Sequence, residues 1–244
     1  MRYLVLTDIH GNLDALDACI ADAEGRGFDQ ALVLGDIVGY GAEPAAVIAR
    51  VRALEPVALV RGNHDKVACG LESSEGFNRV ASAAVAWTRE HLGEADRSWI
   101  AALPRGPVTV DDLIEICHGA PFDEDAYIFD ELDAHRAFTT ASRPICLFGH
   151  THCPALFVAR DTAPAARGAA DPHVQLDAAA RYLVNPGAVG QPRDGDPRAA
   201  YGIVNTDART LDLVRIQYDV GSAQDKIVRA GLPEALAARL AAGR

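Results

Sequence analysis

The first 60 residues alternate between short apolar runs and segments with the period of an amphipathic helix. Apolar runs at 3–7, 31–34 and 57–60 predict three strands, and the segments 13–25 and 44–54 between them predict two helices. A βαβαβ order of this kind predicts a parallel sheet with helices packed against it. Ligands of such sheets bind beyond the carboxyl ends of the strands, so polar residues at those positions are candidates for function.

The rest of the chain predicts a helical insertion followed by a second sheet. Two helix-like stretches, at about 77–92 and 94–103, are interpreted as a small cap inserted at about 66–104 in a single domain that spans residues 1–244. A second, largely antiparallel sheet is predicted from strand-like runs at 108–110, 113–117, 145–148, 155–159, 174–176, 182–184, 201–205 and 211–218. The segment 161–172 predicts a surface loop, and the Ala-rich segment from Ser222 onward predicts a terminal helix.

Residues of the types that bind metal ions follow five of the predicted strands directly. In chain order they are Asp8 and His10, Asp36, the run Asn63, His64 and Asp65, then His118, and finally His150 and His152. Carboxylate oxygen and imidazole nitrogen suit divalent ions such as manganese, iron, zinc or cobalt. Alternate spacing along an extended chain directs both members of a pair to one side, and a glycine before Asp36, Asn63 and His150 permits a tight turn. The pattern therefore predicts a metal site at one edge of the sheet.

These motifs resemble, in order, the D-x-H, G-D, G-N-H-[DE], H and G-H-x-H blocks of the calcineurin-like metallophosphoesterase superfamily, and the resemblance spans most of the chain. It implies an α/β fold of four layers, an α/β/β/α sandwich of two mixed sheets with a small helical cap insertion. It also implies two divalent ions, with manganese, iron, zinc, nickel and cobalt as candidates. One ion would be held by Asp8, His10, Asp36 and His152, and the other by Asp36, Asn63, His118 and His150.

The resemblance also implies a mechanism, in which a hydroxide that bridges the two metals attacks phosphorus. His64 would stabilise the transition state or protonate the leaving oxygen, and Asp65 would fix the orientation of His64. Four further residues are candidates for substrate binding: Arg61, Phe77, Asn78 and Arg193. Arg193 ends the N-P-G-A-V-G-Q-P-R block at 185–193, which resembles a block of the bacterial and archaeal branch but also fits a structural turn; Arg61 fits a surface ion pair equally well.

Composition narrows the range of partners. A net charge of −11 argues against long nucleic acids and anionic membranes, which reward clustered Lys and Arg. The five cysteines include no C-x-x-C pair, so neither a disulfide framework nor a thiolate zinc site is predicted. The apolar run at the N-terminus is too short for a signal peptide, and a cytoplasmic location is expected. The sequence makes no prediction of oligomeric state.

The function expected from this pattern is hydrolysis of a phosphodiester or phosphomonoester, with a small molecule or nucleotide as substrate. Alternatives within the enzyme class are a serine/threonine phosphoprotein phosphatase, which usually carries G-N-H-E where this chain has G-N-H-D at 62–65, and a dinucleoside polyphosphate hydrolase. Outside the enzyme class, some relatives with this fold, the retromer subunit among them, are non-catalytic scaffolds. A metal-binding sensor is also compatible with an intact site.

Overall fold

A computed structural model describes residues 1–160, 163–167 and 171–244, and within them the chain forms two six-stranded sheets. The strands are β1 (Arg2–Leu6), β2 (Gln30–Val33), β3 (Ala58–Leu59), β4 (Val108–Thr109), β5 (Ile114–Ile116), β6 (Ile145–Leu147), β7 (Ala155–Arg160), β8 (Ala163–Arg167), β9 (His173–Gln175), β10 (Arg181–Asn185), β11 (Ala199–Asn205) and β12 (Thr210–Ile216). The helices are α1 (Leu13–Arg26), α2 (Pro44–Ala53), α3 (Asn63–Cys69), α4 (Arg79–His91), α5 (Glu94–Ala101), α6 (Glu131–Thr140), α7 (Val220–Arg229) and α8 (Glu234–Ala242).

The first sheet has the strand order β3-β2-β1-β11-β12-β9. Strands β1, β2 and β3 are parallel, as the βαβαβ pattern predicts, and Leu4 of β1 pairs with Ala31 of β2. Strand β11 then pairs antiparallel with the other edge of β1, and β12 and β9 continue antiparallel. Because β1 and β2 point the same way, the residues that follow them emerge at the same edge of the sheet.

The second sheet has the order β4-β5-β6-β10-β7-β8 and is mixed, as the resemblance implies, with three antiparallel and two parallel pairs among the described strands. Strand β6 lies parallel to both β5 and β10, whereas the remaining pairs are antiparallel. Three strands that were expected in this sheet, β9, β11 and β12, belong to the first sheet instead. Hydrophobic periodicity predicts that a strand exists but does not say with which neighbour it pairs.

The four layers are visible in the alternation of side chains along β1. Leu4 and Leu6 pack outward against α1 and α2, whereas Tyr3 and Val5 pack inward against the second sheet. On the far side, Phe157 and its neighbours from the second sheet pack against α6. The order helices, sheet, sheet, helix is the α/β/β/α sandwich that the resemblance implies. No helix in the described ranges is both long and apolar enough to cross a membrane.

The helices predicted at 77–92 and 94–103 correspond to α4 and α5. Val85 of α4 and Ile100 of α5 share one apolar core with α2 and α3, so these helices continue the outer helical layer, while Phe77, just before α4, reaches the predicted site. The predicted terminal helix is two helices, because Gly231 adopts φ +71° and Pro233 follows it. Within the predicted loop at 161–172, residues 163–167 form β8, and residues 161, 162 and 168–170 lie outside the described ranges.

Candidate metal centre

The loops after β1, β2, β3, β5 and β6 bring the predicted ligands together at one buried point. Two groups of side chains offer ligand atoms that all lie within 4.8 Å of one another, and Asp36 belongs to both. The first group is Asp8, His10, Asp36 and His152; the second is Asp36, His118 and His150. The seventh predicted ligand adjoins the second group, since Asn63 Oδ1 lies 3.3 Å from His118 Nε2. The six grouped residues are at most 4% exposed.

Each of the four histidines in these groups uses one ring nitrogen to contact a backbone carbonyl. The contacts are His10 Nδ1 to Val38 O at 3.1 Å, His118 Nδ1 to Leu34 O at 2.8 Å, His150 Nε2 to Asp125 O at 3.1 Å and His152 Nδ1 to Gln191 O at 2.6 Å. A carbonyl oxygen only accepts, so we assign the proton to the nitrogen that faces it. The second nitrogen of each ring is then an unprotonated lone pair that points into the cluster, the arrangement found around metal-bound histidines.

These lone pairs face one another at short range. His10 Nε2 lies 3.2 Å from His152 Nε2, and His118 Nε2 lies 3.1 Å from His150 Nδ1. Burial, the largest cause, lowers the pKa of His10, His150 and His152 well below the ordinary value, so at neutral pH no extra proton relieves the contact between His10 and His152. Two lone pairs at this distance repel unless a cation lies between them. The donor set therefore fits a bound metal ion in each group.

The two carboxylates lead to the same conclusion. Burial raises the pKa of Asp8 to about 6 and raises that of Asp36 well above its usual range, with the nearby Asp65 charge as the next cause for Asp36. Asp36 Oδ2 is buried without a hydrogen-bond donor and lies 3.4 Å from His10 Nε2 and 3.5 Å from His118 Nε2. An oxygen in that position, next to nitrogen lone pairs of both groups, is suited to bridge two cations.

The ligand side chains point into the cluster because their backbone is left-handed. The prediction that alternation along an extended strand would direct them is wrong. Asp8, His10, Asp36, His150 and His152 have φ between +50° and +67°. The strands end at Leu6, Val33 and Leu147, before the ligands begin, so no extended segment carries them. A non-glycine residue in this region costs about 1 kcal/mol or more, which the surrounding contacts must offset. Strain of this kind concentrates at functional sites.

The three predicted glycines serve two different purposes. Gly35 adopts φ +91° and provides the turn that was predicted before Asp36. Gly62 and Gly149 have ordinary backbone angles and are required for space instead. A Cβ at Gly62 would lie 2.1 Å from Asp36 Oδ1, and one at Gly149 would lie 2.0 Å from Thr7 Oγ1.

Asp65 occupies a different position from the one predicted. Its carboxylate accepts hydrogen bonds from the backbone N–H groups of Ile37, Val38 and Gly62, at 3.2, 3.0 and 2.9 Å, and it forms none with His64. These contacts join the loop after β2 to the loop after β3. Asp65 therefore holds the backbone on which Asp36 and its neighbours are mounted, and the prediction that it orients His64 is wrong.

His64 lies beside the two groups without belonging to either. Its ring packs against Tyr40, Phe77 and His10, with ring centroids 4.3, 4.6 and 4.9 Å away, and its Nδ1 is buried without a hydrogen-bond partner. Burial, followed by the nearby charge of Arg193, lowers its pKa well below the ordinary value. The ring is therefore fixed by packing and is neutral at neutral pH.

A cavity of about 150 Å³ opens beside His64 and the ligands. Three of the four predicted substrate contacts line it, namely Phe77, Asn78 and Arg193. The side chain of Asn78 also caps α4, through Oδ1 contacts of 3.0 Å to the N–H groups of Val80 and Ala81. Phe77 and Asn78 therefore form a wall whose position is set by the start of α4.

Arg61, the fourth predicted contact, does not line this cavity. Its guanidinium forms a two-point ion pair with Glu124, with Nε and Nη2 at 3.2 and 3.3 Å from the two carboxylate oxygens. The sequence allowed either a substrate contact or an ion pair for Arg61, and the structure shows the ion pair. Its charge is directed to Glu124 and not to the metal centre.

Three aromatic or charged residues that line the cavity were not predicted from the sequence: Tyr40, Tyr127 and Arg239. Tyr40 stands between two glycines shortly after Asp36, and that turn pattern was a usable signal. Tyr127 stacks on the ring of His150 at 3.9 Å from a loop without a motif, and Arg239 comes from α8, far along the chain. For these two residues no local pattern indicates proximity to the site.

Comparison with known proteins places this geometry in a family context. A family model of the calcineurin-like phosphoesterase superfamily domain matches residues 1–209. The uncharacterized protein MJ0912 of Methanocaldococcus jannaschii is 34% identical over 247 residues, which cover 98% of this chain and 97% of that protein. The crystal structure of a metallophosphoesterase from Sphaerobacter thermophilus is similar with a TM-score of 0.87 and 37% identity, and the match covers 100% of both chains. The hypothetical protein PH1004 from Pyrococcus horikoshii OT3 shares the fold, with a TM-score of 0.79 at 21% identity, over 100% of this chain and 98% of that one.

Proposed function

The chain belongs to the calcineurin-like phosphoesterase superfamily, and we propose that it hydrolyses a small phosphate ester with the help of two divalent metal ions. One observation carries the proposal. Four buried histidines, each held by a backbone carbonyl, direct their unprotonated nitrogens toward two points on either side of Asp36. A structural role does not require lone pairs 3.1 and 3.2 Å apart.

The ligand sets follow from the two groups. Asp8, His10 and His152 would hold one ion, Asn63, His118 and His150 would hold the other, and Asp36 would be shared, as the resemblance implies. Two divalent ions bound there supply an activated water nucleophile and positive charge for the phosphate. The mixed nitrogen and oxygen donors suit manganese, iron, zinc, nickel or cobalt.

The chain's own residues would then position and stabilise the phosphate. His64 would donate a hydrogen bond from its ring to an oxygen of the phosphate or of the leaving group, because its ring lines the cavity and is fixed by Tyr40 and Phe77. Since Nδ1 is buried close to Gly39, Nε2 is the atom we assign to this contact. Asp65 would act at a distance by holding the ligand loops.

The first experiment measures hydrolysis of p-nitrophenyl phosphate and bis-p-nitrophenyl phosphate by metal-stripped protein. Manganese, zinc, nickel and magnesium are added back singly, and bound metal is counted by mass spectrometry. We expect at least one ion to restore turnover, with about two ions bound per chain. Asp36→Asn should lose both turnover and metal, whereas Asp17→Asn, at a half-exposed carboxylate paired with Arg50, serves as the matched control.

Two outcomes would count against the proposal. Wild-type protein that binds no metal would contradict the ligand assignment. Protein that binds two ions but hydrolyses neither ester nor a wider panel of phosphate esters would favour the non-catalytic scaffold or sensor.

A second experiment isolates His64. His64→Ala should lower turnover about 100-fold or more while it retains both ions, since the ring binds substrate and not metal. His64→Gln retains a neutral donor and should recover part of the loss. Loss of metal in His64→Ala would show that the ring supports the ligands instead.

A further inference from the structure

Two arginines line the cavity without an Asp or Glu side chain as partner among the described residues. Arg193 donates from Nη2 to the Tyr40 hydroxyl at 3.3 Å, and its Nε is buried without a partner. Arg239 donates from Nε to the backbone oxygen of Arg244 at 2.9 Å. Neither guanidinium forms an ion pair with an Asp or Glu side chain of the described residues, although the chain carries a net charge of −11. Positive charge left unpaired in an acidic protein points to an anionic ligand.

The two guanidiniums are held on the same ring. Their Cζ atoms lie 5.8 Å (Arg193) and 5.7 Å (Arg239) from the centroid of Tyr40, whose ring in turn contacts His10 and His64. Burial and the neighbouring charge of Arg193 lower the pKa of Arg239. The two like charges repel, and an anion that contacts both guanidiniums would relieve the repulsion.

Both arginines are fixed by the packing of α8. Leu236 and Leu240 bury this helix in an apolar cluster with α4, α7 and Tyr40. The end of the helix is joined to the loop of Arg193 by a hydrogen bond from Gly195 N to Gly243 O of 2.9 Å. The pair is therefore a built feature of the site and not a chance meeting of surface side chains.

A neighbouring cavity contains carboxylates that are already paired. A second cavity of about 360 Å³ shares Phe77, Tyr127 and His150 with the first. Its carboxylates, Glu72 and Asp125, are paired with Lys66 at 3.0 and 2.6 Å. The first cavity therefore offers two arginines without an Asp or Glu partner, whereas the charges of the second are paired and its aromatic rings are shared with the first.

From this asymmetry we propose that Arg193 and Arg239 form an anion subsite that makes the enzyme prefer phosphate monoesters with an uncharged, preferably aromatic, leaving group. The proposal rests on the phosphoesterase function proposed above and specifies its substrate class. The arginines contact the terminal oxygens of the phosphate, and the leaving group occupies the cavity beside Tyr127. The hydrolysis itself places water oxygen on phosphorus, breaks the bond to the ester oxygen and returns one proton to the leaving alcohol.

Charge and desolvation explain the preference. The second pKa of a phosphate monoester is about 6, so at neutral pH it is mostly a dianion with three terminal oxygens. A diester is a monoanion with two, and its second organic group would displace water from guanidiniums that it cannot hydrogen-bond. That desolvation disfavours diesters. A dinucleoside polyphosphate is disfavoured similarly, because its leaving group brings negative charge to the side without unpaired cations.

The test compares kcat/KM for p-nitrophenyl phosphate and bis-p-nitrophenyl phosphate in wild type, Arg193→Gln and Arg239→Gln. The ratio of the two substrates is followed across variants, so that their different intrinsic reactivities cancel. Each variant should lower the monoester value about 10- to 100-fold and the diester value much less. Arg239→Lys retains charge without the planar fork and should fall between. Arg229→Gln, at an exposed site of α7, removes the same charge and should leave both values unchanged.

A binding measurement separates this proposal from the general one. Calorimetry with inorganic phosphate and with dimethyl phosphate, on metal-loaded protein, should show tighter binding of phosphate in wild type and a selective loss in Arg239→Gln. If neither ester is hydrolysed yet this selective loss occurs, the subsite stands and the phosphoesterase function fails. Equal losses for both esters, or phosphate binding that Arg239→Gln leaves unchanged, would overturn the subsite.

Discussion

The packing of Gly62 against Asp36 yields a sharp test of how the centre is assembled. Gly62 has φ −106° and ψ 179°, angles that any residue can adopt, so Gly62→Ala introduces no backbone strain. Its Cβ, however, would lie 2.1 Å from Asp36 Oδ1 and 2.5 Å from Asp36 N. A normal contact requires Asp36 or the loop of Gly62 to retreat by about 1 Å.

The magnitude follows from that retreat. Overpacking a rigid site costs about 1–3 kcal/mol, or roughly 2–12 °C in Tm for a chain of this size. A misplacement of about 1 Å at a catalytic group costs about 100-fold in rate. Gly62→Ala should therefore lower both Tm and kcat, and because Asp36 is shared between the two ligand groups it should also lower bound metal.

Gly25→Ala is the matched control, because it makes the same chemical change in α1, where nothing lies within 4 Å of the new Cβ. It should raise stability by about 0.5–1 kcal/mol and leave activity unchanged. Thermal unfolding, metal content and turnover of p-nitrophenyl phosphate are measured on both variants. If Gly62→Ala retains its metal and activity as Gly25→Ala does, the packing explanation of this glycine is wrong.

Three further predictions concern acidic residues. In metal-free protein, Asp36→Asn should unfold at or above the wild-type Tm, because the amide removes a buried carboxyl whose charged form is disfavoured. A divalent ion added at 100 times its Kd for wild type should stabilise wild type by about 2.7 kcal/mol and make it the more stable of the two. Asp65→Asn should weaken metal affinity about 10- to 100-fold in a competition titration, because one acceptor oxygen becomes a donor that faces backbone N–H groups. Hydrogen bonds from Arg198 lower the pKa of Asp196 to about 2, below the value in the unfolded chain. The stabilisation that the Asp196 carboxylate contributes should therefore be present above about pH 4 and lost as pH falls through about 2. Urea unfolding of Asp196→Asn and wild type at several pH values measures this.

Each of these predictions has an outcome that contradicts it. A metal-free Asp36→Asn protein less stable than metal-free wild type would mean that the carboxylate supports the fold without an ion. Unchanged metal affinity in Asp65→Asn would mean that the two loops are held by other contacts. A stability difference at Asp196 that persists at pH 2 would show that the ion pair with Arg198 is not its source.

The convergence of the ligands was predictable because it depends on topology alone. Asp8 and Asp36 follow parallel neighbouring strands and must emerge at the same edge, and the later histidines follow the parallel pair β5 and β6. Each group needs residues from the loops of both sheets, since Asp36 is grouped with His152 on one side and His118 on the other. Motif order along the chain was sufficient to find them.

Other features were not predictable, for reasons that differ from residue to residue. Asp65 stands next to His64 in sequence, but its partners are backbone groups of the loop after β2, and a side-chain motif does not show backbone partners. Arg239 lines the same cavity as Arg193 because α8 folds back on the core. Helix α6 was missed although its signal was present, with Asp130 as a side-chain cap and acidic residues in the first turn.

Arg239 lies in the last helix, far along the chain from the loops that carry the metal ligands. The family model matches residues 1–209, whereas α7 and α8 follow that region and contribute no residue to the two ligand groups. The proposed subsite therefore predicts that substitutions of Arg239 alter which esters are accepted without moving a metal ligand. If the subsite is correct, we expect substrate range to diverge among homologues through the last helix, while the ligand loops stay constant.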